Sequence, residues 1–249
     1  MMRKKTIIII LLTVLAIIAI VYLAISVSRE KKIEKSTEVE IGSLPIGESR
    51  KSILSIENTS NPVEINDSYG QYVEQDVSNF PSYEKEGIST DYPPSDKSGK
   101  LIDLDSFFGS VNAKINPKVR SLVGSNYYGL FYCVNEKNKK EYGVAFDVGE
   151  EDPNKLKKYS DEAKNYMRLW EPYLLKDLRA ILFPKTDLSE EYLNQKLVFN
   201  DGKYRFADVN LPDGKSSISY AIKDSPINRI YVTTSQECME KALNYLFDI

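Results

Sequence analysis

Residues 7–25 of this 249-residue chain, IIIILLTVLAIIAIVYLAI, contain no charged side chain and only two mildly polar ones, Thr13 and Tyr22. A helix of that length, at 1.5 Å per residue, is about 28 Å long, close to the roughly 30 Å hydrocarbon thickness of a bilayer. The run therefore predicts a transmembrane segment, and the lipid bilayer is the first partner the sequence implies. A cleaved secretory signal is the alternative, since basic Arg3, Lys4 and Lys5 precede the run and Ala24-Ile25-Ser26 closes it. The length of the run, with β-branched residues carried up to that triplet, favours a retained signal-anchor. Lys and Arg flank both sides, with Arg29, Lys31, Lys32 and Lys35 on the C-terminal side. The short basic leader is read as cytoplasmic, which places the remainder outside the cytoplasm.

Residues 28–100 are rich in Ser, Glu, Lys, Asn, Pro and Gly and are punctuated by Ser60-Asn61-Pro62, Tyr69-Gly70, Asn79-Phe80-Pro81 and Pro93-Pro94. Such composition buries little and interrupts helices, so this stretch reads as a polar, largely disordered tether. Within it, residues 52–56 and 62–65 are candidate short strands that could dock on the globular domain. The expected organisation is a cytoplasmic tail and span over 1–27, a tether over 28–100 and a globular domain over 101–249.

In the domain, Leu101, Ile102, Leu104, Phe107, Phe108 and Val111 recur at helical spacing, with Asp103 or Asp105 as cap. Asn116-Pro117 pairs a capping side chain with a first-turn proline, and Gly124 is the expected stop. Residues 127–134 and 142–148 read as a hairpin. Asp152-Pro153 opens a long amphipathic helix that Pro172 should kink or split. A short helical piece over 189–193 is followed by strands at 196–199, 204–209, 218–222 and 229–233. Their connections, Asn200-Asp201-Gly202 and Pro212-Asp213-Gly214, carry glycine where a tight hairpin needs positive φ. Thr234-Ser235-Gln236-Glu237 offers a capping box for a last helix. The expected fold class is α+β: an antiparallel sheet of about six strands, with a long kinked helix and a C-terminal helix packed on it.

The order Trp170-Glu171-Pro172, Leu175-Lys176-Asp177-Leu178, Phe183-Pro184 and then Ile230-Tyr231-Val232-Thr233-Thr234-Ser235 resembles a group of uncharacterised single-span membrane proteins of candidate-phyla bacteria. The resemblance spans most of 101–249. It implies a bacterial, membrane-anchored protein and transfers no activity or site residue. The strand and helix order also resembles profilin-like or gelsolin-like sheets, a likeness of fold that says nothing of function.

The chain has no histidine, which removes histidine-activated nucleophiles, histidine bases and histidine metal ligands together. Two cysteines alone make no structural zinc site, and no cofactor or metal is expected. Gly214-Lys215-Ser216 fails as a phosphate loop because Val209 stands where a glycine is required. Cys133 and Cys238, 105 positions apart, read as two buried thiols or, outside the cytoplasm, as a disulfide. Asp147, Glu150, Glu151 and Asp152, with Asp103 and Asp105, are the only candidate catalytic carboxylates, and their spacing reads more simply as helix capping and a solvated acidic turn.

Seventeen tyrosines are many for this length. Tyr127, Tyr128, Tyr132, Trp170 and Tyr173 are candidate binding residues, since aromatic faces stack on sugars or fill a partner's pocket; the competing reading places them in the core. A net charge of −3 without a dense basic face disfavours nucleic acid, and Lys137, Lys139 and Lys140 read as a solvated hairpin tip. The sequence thus points to a membrane-tethered extracytoplasmic binding or assembly module of the cell envelope, engaging a protein or glycan, rather than an enzyme. The alternatives are a carboxylate-dependent wall hydrolase and a structural subunit of a membrane complex.

Overall fold

The computed structural model describes residues 61–74, 88–91, 95, 100–148, 156–212, 214–223 and 228–245. The span expected at 7–25, the candidate strand at 52–56, the Asp152-Pro153 cap and Glu150 and Glu151 lie outside these residues. Among the described residues no helix is long and apolar enough to cross a membrane.

The described part is α+β, as the periodicities require. Its six strands are β1 (Ile88–Asp91), β2 (Val123–Val134), β3 (Lys140–Val148), β4 (Arg205–Leu211), β5 (Gly214–Lys223) and β6 (Asn228–Thr233). They form one sheet in the order β1-β2-β3-β6-β5-β4, with every neighbouring pair antiparallel. The helices are α1 (Pro62–Glu74), α2 (Leu104–Ser110), α3 (Pro117–Arg120), α4 (Leu156–Trp170), α5 (Leu174–Leu182), α6 (Glu190–Leu193) and α7 (Gln236–Tyr245).

Alternation along the strands divides the core in two. Tyr128, Leu130, Tyr132, Tyr142, Val144, Phe146, Ile218, Tyr220, Ile230 and Val232 face one side and are covered by α1, α2, α4 and α5. Phe131, Cys133, Ala145, Ala221 and Tyr231 face the other and meet Cys238, Met239 and Ala242 of α7. The long crossover from β3 through α4, α5 and α6 carries the chain to the far edge, and two returns then bring β6 back beside β3.

The local signals account for most element ends. Asp103 caps α2 by accepting from Ser106 N at 2.9 Å, and Ser106 Oγ donates to its other oxygen at 2.6 Å. Asn116 caps α3 by accepting from Lys118 N at 2.9 Å. The expected long helix is divided into α4 and α5 at residues 171–173, because Pro172 has no amide hydrogen to continue the ladder. Gly214, at φ +141°, takes the conformation that its hairpin return to β4 demands.

Four boundaries differ from the sequence reading. Residues 62–65, expected as a strand of the tether, are the first turn of α1. Asn61 accepts from Val63 N at 3.1 Å, Pro62 occupies the first turn, and Ile65, Tyr69, Tyr72 and Val73 are buried against the core. With β1 paired to β2, the fold starts well before residue 101. Gly124 stops no helix but lies within β2, since α3 ends one turn after its proline. At the last helix the cap is Ser235, whose Oγ accepts from Cys238 N at 2.9 Å, one residue later than a box opened by Thr234.

The fourth difference concerns 196–199, which is not a strand of the sheet. It runs beside edge strand β4 and is joined to it only at its ends. Asn200 and Phe206 exchange both backbone hydrogen bonds, at 2.8 and 3.3 Å. At the other end the Gln195 side chain imitates a strand, its Nε2 donating to Asn210 O at 3.0 Å and its Oε1 accepting from Asn210 N at 2.9 Å. An open edge invites pairing with other chains, and this amide occupies two of its outward groups. Gln195→Ala is expected to cost about 1 kcal/mol and to make the protein associate as its concentration rises. Sedimentation velocity over a concentration series checks this, and an unchanged mass distribution would refute it.

Candidate functional site

The four aromatic candidates whose side chains the structure describes are not brought together into one exposed site. Tyr128 is 3% exposed, donates its hydroxyl to Ile102 O at 3.1 Å and lies among Phe107 and Phe108. Tyr132 is fully buried, with Lys140 Nζ 4.8 Å from its ring centre. Trp170 is fully buried against Phe146, and its Nε1 donates to Asp177 Oδ2 at 2.8 Å. These three are core residues, as their period-two and helical positions dictate, and they present no face to a ligand. Tyr127 stands on β2, and its side chain lies outside the described part of the molecule. Tyr173, by contrast, is 58% exposed.

Tyr173 closes the α4–α5 elbow, which also carries Leu169, 54% exposed. The elbow is braced from the sheet. Glu171, between the two, accepts from Arg205 Nε at 2.5 Å, Arg205 Nη2 at 3.1 Å and Tyr220 Oη at 2.6 Å, and Arg205 Nη1 also meets Asp201. Burial, and then the neighbouring Glu171 carboxylate, push the Tyr220 hydroxyl far above its ordinary value, so it stays a donor at physiological pH. Every hydrogen-bonding nitrogen of Arg205 is engaged, which makes this network a clamp rather than a reactive centre. Sequence reading missed it because its members come from three separate elements.

Asp147, the only member of the acidic cluster among the described residues, is held by Arg229 in a two-pronged pair. Arg229 Nε and Nη2 both donate, the latter to Oδ2 at 2.8 Å, and Nη1 donates to Tyr231 Oη at 3.4 Å. The pair follows from register, since Asp147 and Arg229 are directly opposite in β3 and β6. A carboxylate so engaged is not a free acid or base. Arg229 is half-buried, and the loss of water opposes its charge, but Asp147 outweighs this and raises its affinity for the proton.

The two acids at the start of α2 are likewise committed. Arg120 donates Nε and Nη2 to Asp105 at 2.8 Å each, holding that carboxyl below the usual range. Burial alone would raise Asp103, but its Ser106 hydrogen bonds prevail and it too is lowered. Groups with depressed folded-state values stabilise the fold above the ordinary carboxylate range, and that contribution is lost as pH falls through the lowered values. Beside them lies an open hollow of about 430 Å³ between α2, α3 and α5, lined by Asp105, Phe108, Lys114, Asn116 and Asp177 among others. Among the described residues no cluster of acidic or cysteine side chains could hold a metal ion.

Cys133 in β2 and Cys238 in the first turn of α7 form a disulfide, with Cα atoms 5.4 Å apart and both residues fully buried. Of the two sequence readings, buried thiols or a disulfide, the structure has the disulfide. Lys140, read as part of a solvated tip, is instead laid over Tyr132 and Tyr72 and donates to Tyr72 O at 3.3 Å.

Comparison of the chain with protein-family models, with curated proteins and with solved structures found no match.

Proposed function

We propose that this protein is a membrane-tethered binding or assembly module whose folded domain works outside the cytoplasm, engaging an envelope protein or glycan through its surface. The observation that carries this reading is the Cys133–Cys238 disulfide, since such bonds persist in oxidising compartments and are rare in the cytosol. The apolar run at 7–25 supports the tether. The α4–α5 elbow supports contact through a surface. Tyr173 and Leu169 are large, more than half exposed and flank Glu171, which the clamp from Arg205 and Tyr220 ties to the sheet, and large exposed aromatic and apolar side chains on a braced backbone are the residues that anchor interfaces.

The test joins two measurements in intact bacterial cells. Paired topology reporters fused after Ile249 should be active only for the extracytoplasmic enzyme. A photo-crosslinking residue at position 173 should capture a defined envelope component. A reporter active only in the cytoplasm removes the compartment. Crosslinking no richer than at exposed Val198 removes the elbow as the contact.

A further inference from the structure

Helix α1 is poorly suited to be a helix by itself. Its sequence, PVEINDSYGQYVE, places Asn66, Asp67, Ser68 and Gly70 in the middle, all weak helix formers. Gly70 is exposed, and a Cβ there would meet no atom within 4 Å, so packing does not require glycine. The last turn carries Glu74 and no basic residue, the wrong sign for a helix C-terminus.

What α1 lacks, the domain supplies. Lys140 Nζ donates to Tyr72 O and Tyr142 Oη donates to Val73 O, each at 3.3 Å, so β3 caps the helix end and brings the missing cation. Lys185 pairs with Glu74 at 3.3 Å. Ile65, Tyr69, Tyr72 and Val73, at helical spacing, lie in an aromatic groove, with Tyr69 edge-on to Phe107 and Tyr72 against Tyr132. Tyr69 Oη also donates to Ile181 O at 3.2 Å. This is the geometry of an amphipathic helix laid in a groove, with the helix held in the same chain.

We propose that α1 is a detachable clasp, helical while docked in the Phe107–Tyr132–Tyr142 groove and unfolded when released, and that it opens without unfolding the sheet. Release bares a groove that fits an amphipathic helix with large apolar residues at the spacing of 65, 69 and 72. Resting on the tethered reading above, release also moves the first element held by the domain after the apolar run from α1 at residue 62 to β1 at residue 88.

Hydrogen exchange on the full-length protein tests the clasp wherever the chain resides. In the wild type, amides of 66–73 should exchange at least tenfold faster than those of β3 and β6. Gly70→Ala should slow α1 alone by about two- to five-fold, the effect of replacing an unneeded helical glycine. Lys140→Met should speed α1 while the β6 amides hold their rate. One shared rate for α1 and the sheet would overturn the proposal. So would a Gly70→Ala variant that slows both equally or leaves α1 unchanged.

Discussion

Cys238→Ala is expected to lower the stability of the folded domain by about 2–5 kcal/mol, a fall in Tm of roughly 5–15 °C for a domain of this size. The bond closes a loop of 105 residues. In the chain-entropy picture so long a loop takes much freedom from the unfolded chain, and its loss is felt there as well as in the native contacts. The bond also ties α7 to the sheet face that this helix covers. Without it α7 keeps Met239 and Ala242 in the core and Ser235 as its cap, so the variant should fold, with α7 fraying first. Scanning calorimetry of wild type with and without reductant, beside Cys133→Ala and Cys238→Ala, measures the effect. Equal midpoints for oxidised wild type and both variants would refute it.

Gly143→Ala is expected to cost about 3 kcal/mol although it adds a single methyl group. Gly143 lies directly opposite Phe131 in the β2–β3 register, and the ring of Phe131 lies across it. A Cβ at 143 would stand 2.3 Å from Cζ and 2.5 Å from Cε2 of that ring. The ring is not free to retreat, being 2% exposed and packed edge-on against Tyr231 at 6.1 Å. Overpacking of this kind costs about 1–3 kcal/mol and occasionally more, and a buried, blocked neighbour puts this site at the upper end. Urea unfolding gives the value, with Gly109→Ala as control, since a Cβ there meets nothing within 4 Å. Adding Phe131→Leu should recover part of the loss. A Gly143→Ala variant within about 0.5 kcal/mol of wild type, the range of an ordinary surface change, would show that the contact relaxes.

Signals confined to a few neighbouring residues were legible in the sequence. Asp103 and Asn116 cap the helices they precede, Pro172 divides the long helix, and Gly214 turns the β4–β5 hairpin. The same Asn-Pro pair that marks α3 at 116–117 also stands at 61–62, where the polar run around it reads as tether. Ile65, Tyr69 and Tyr72 at helical spacing carried the correct signal there. Gly70 and its polar neighbours hid it, because the helix draws its stability from the groove and not from its own sequence.

By itself, then, the sequence determined the α+β class, the types of most elements after residue 101 and the Gly214 return, all consequences of side-chain period and backbone chemistry within a turn or a strand, while Tyr128, Tyr132 and Trp170, offered as binding residues with the core as the competing reading, were settled as core only by the fold. The tertiary structure alone decided that β6 enters the sheet between β3 and β5 and that 196–199 guards an edge instead of joining it. It also decided that Asp147 meets Arg229 across 82 positions and Cys133 meets Cys238 across 105. Those outcomes depend on which surfaces meet once distant segments have packed, and no local pattern encodes a contact whose partner lies a hundred residues away.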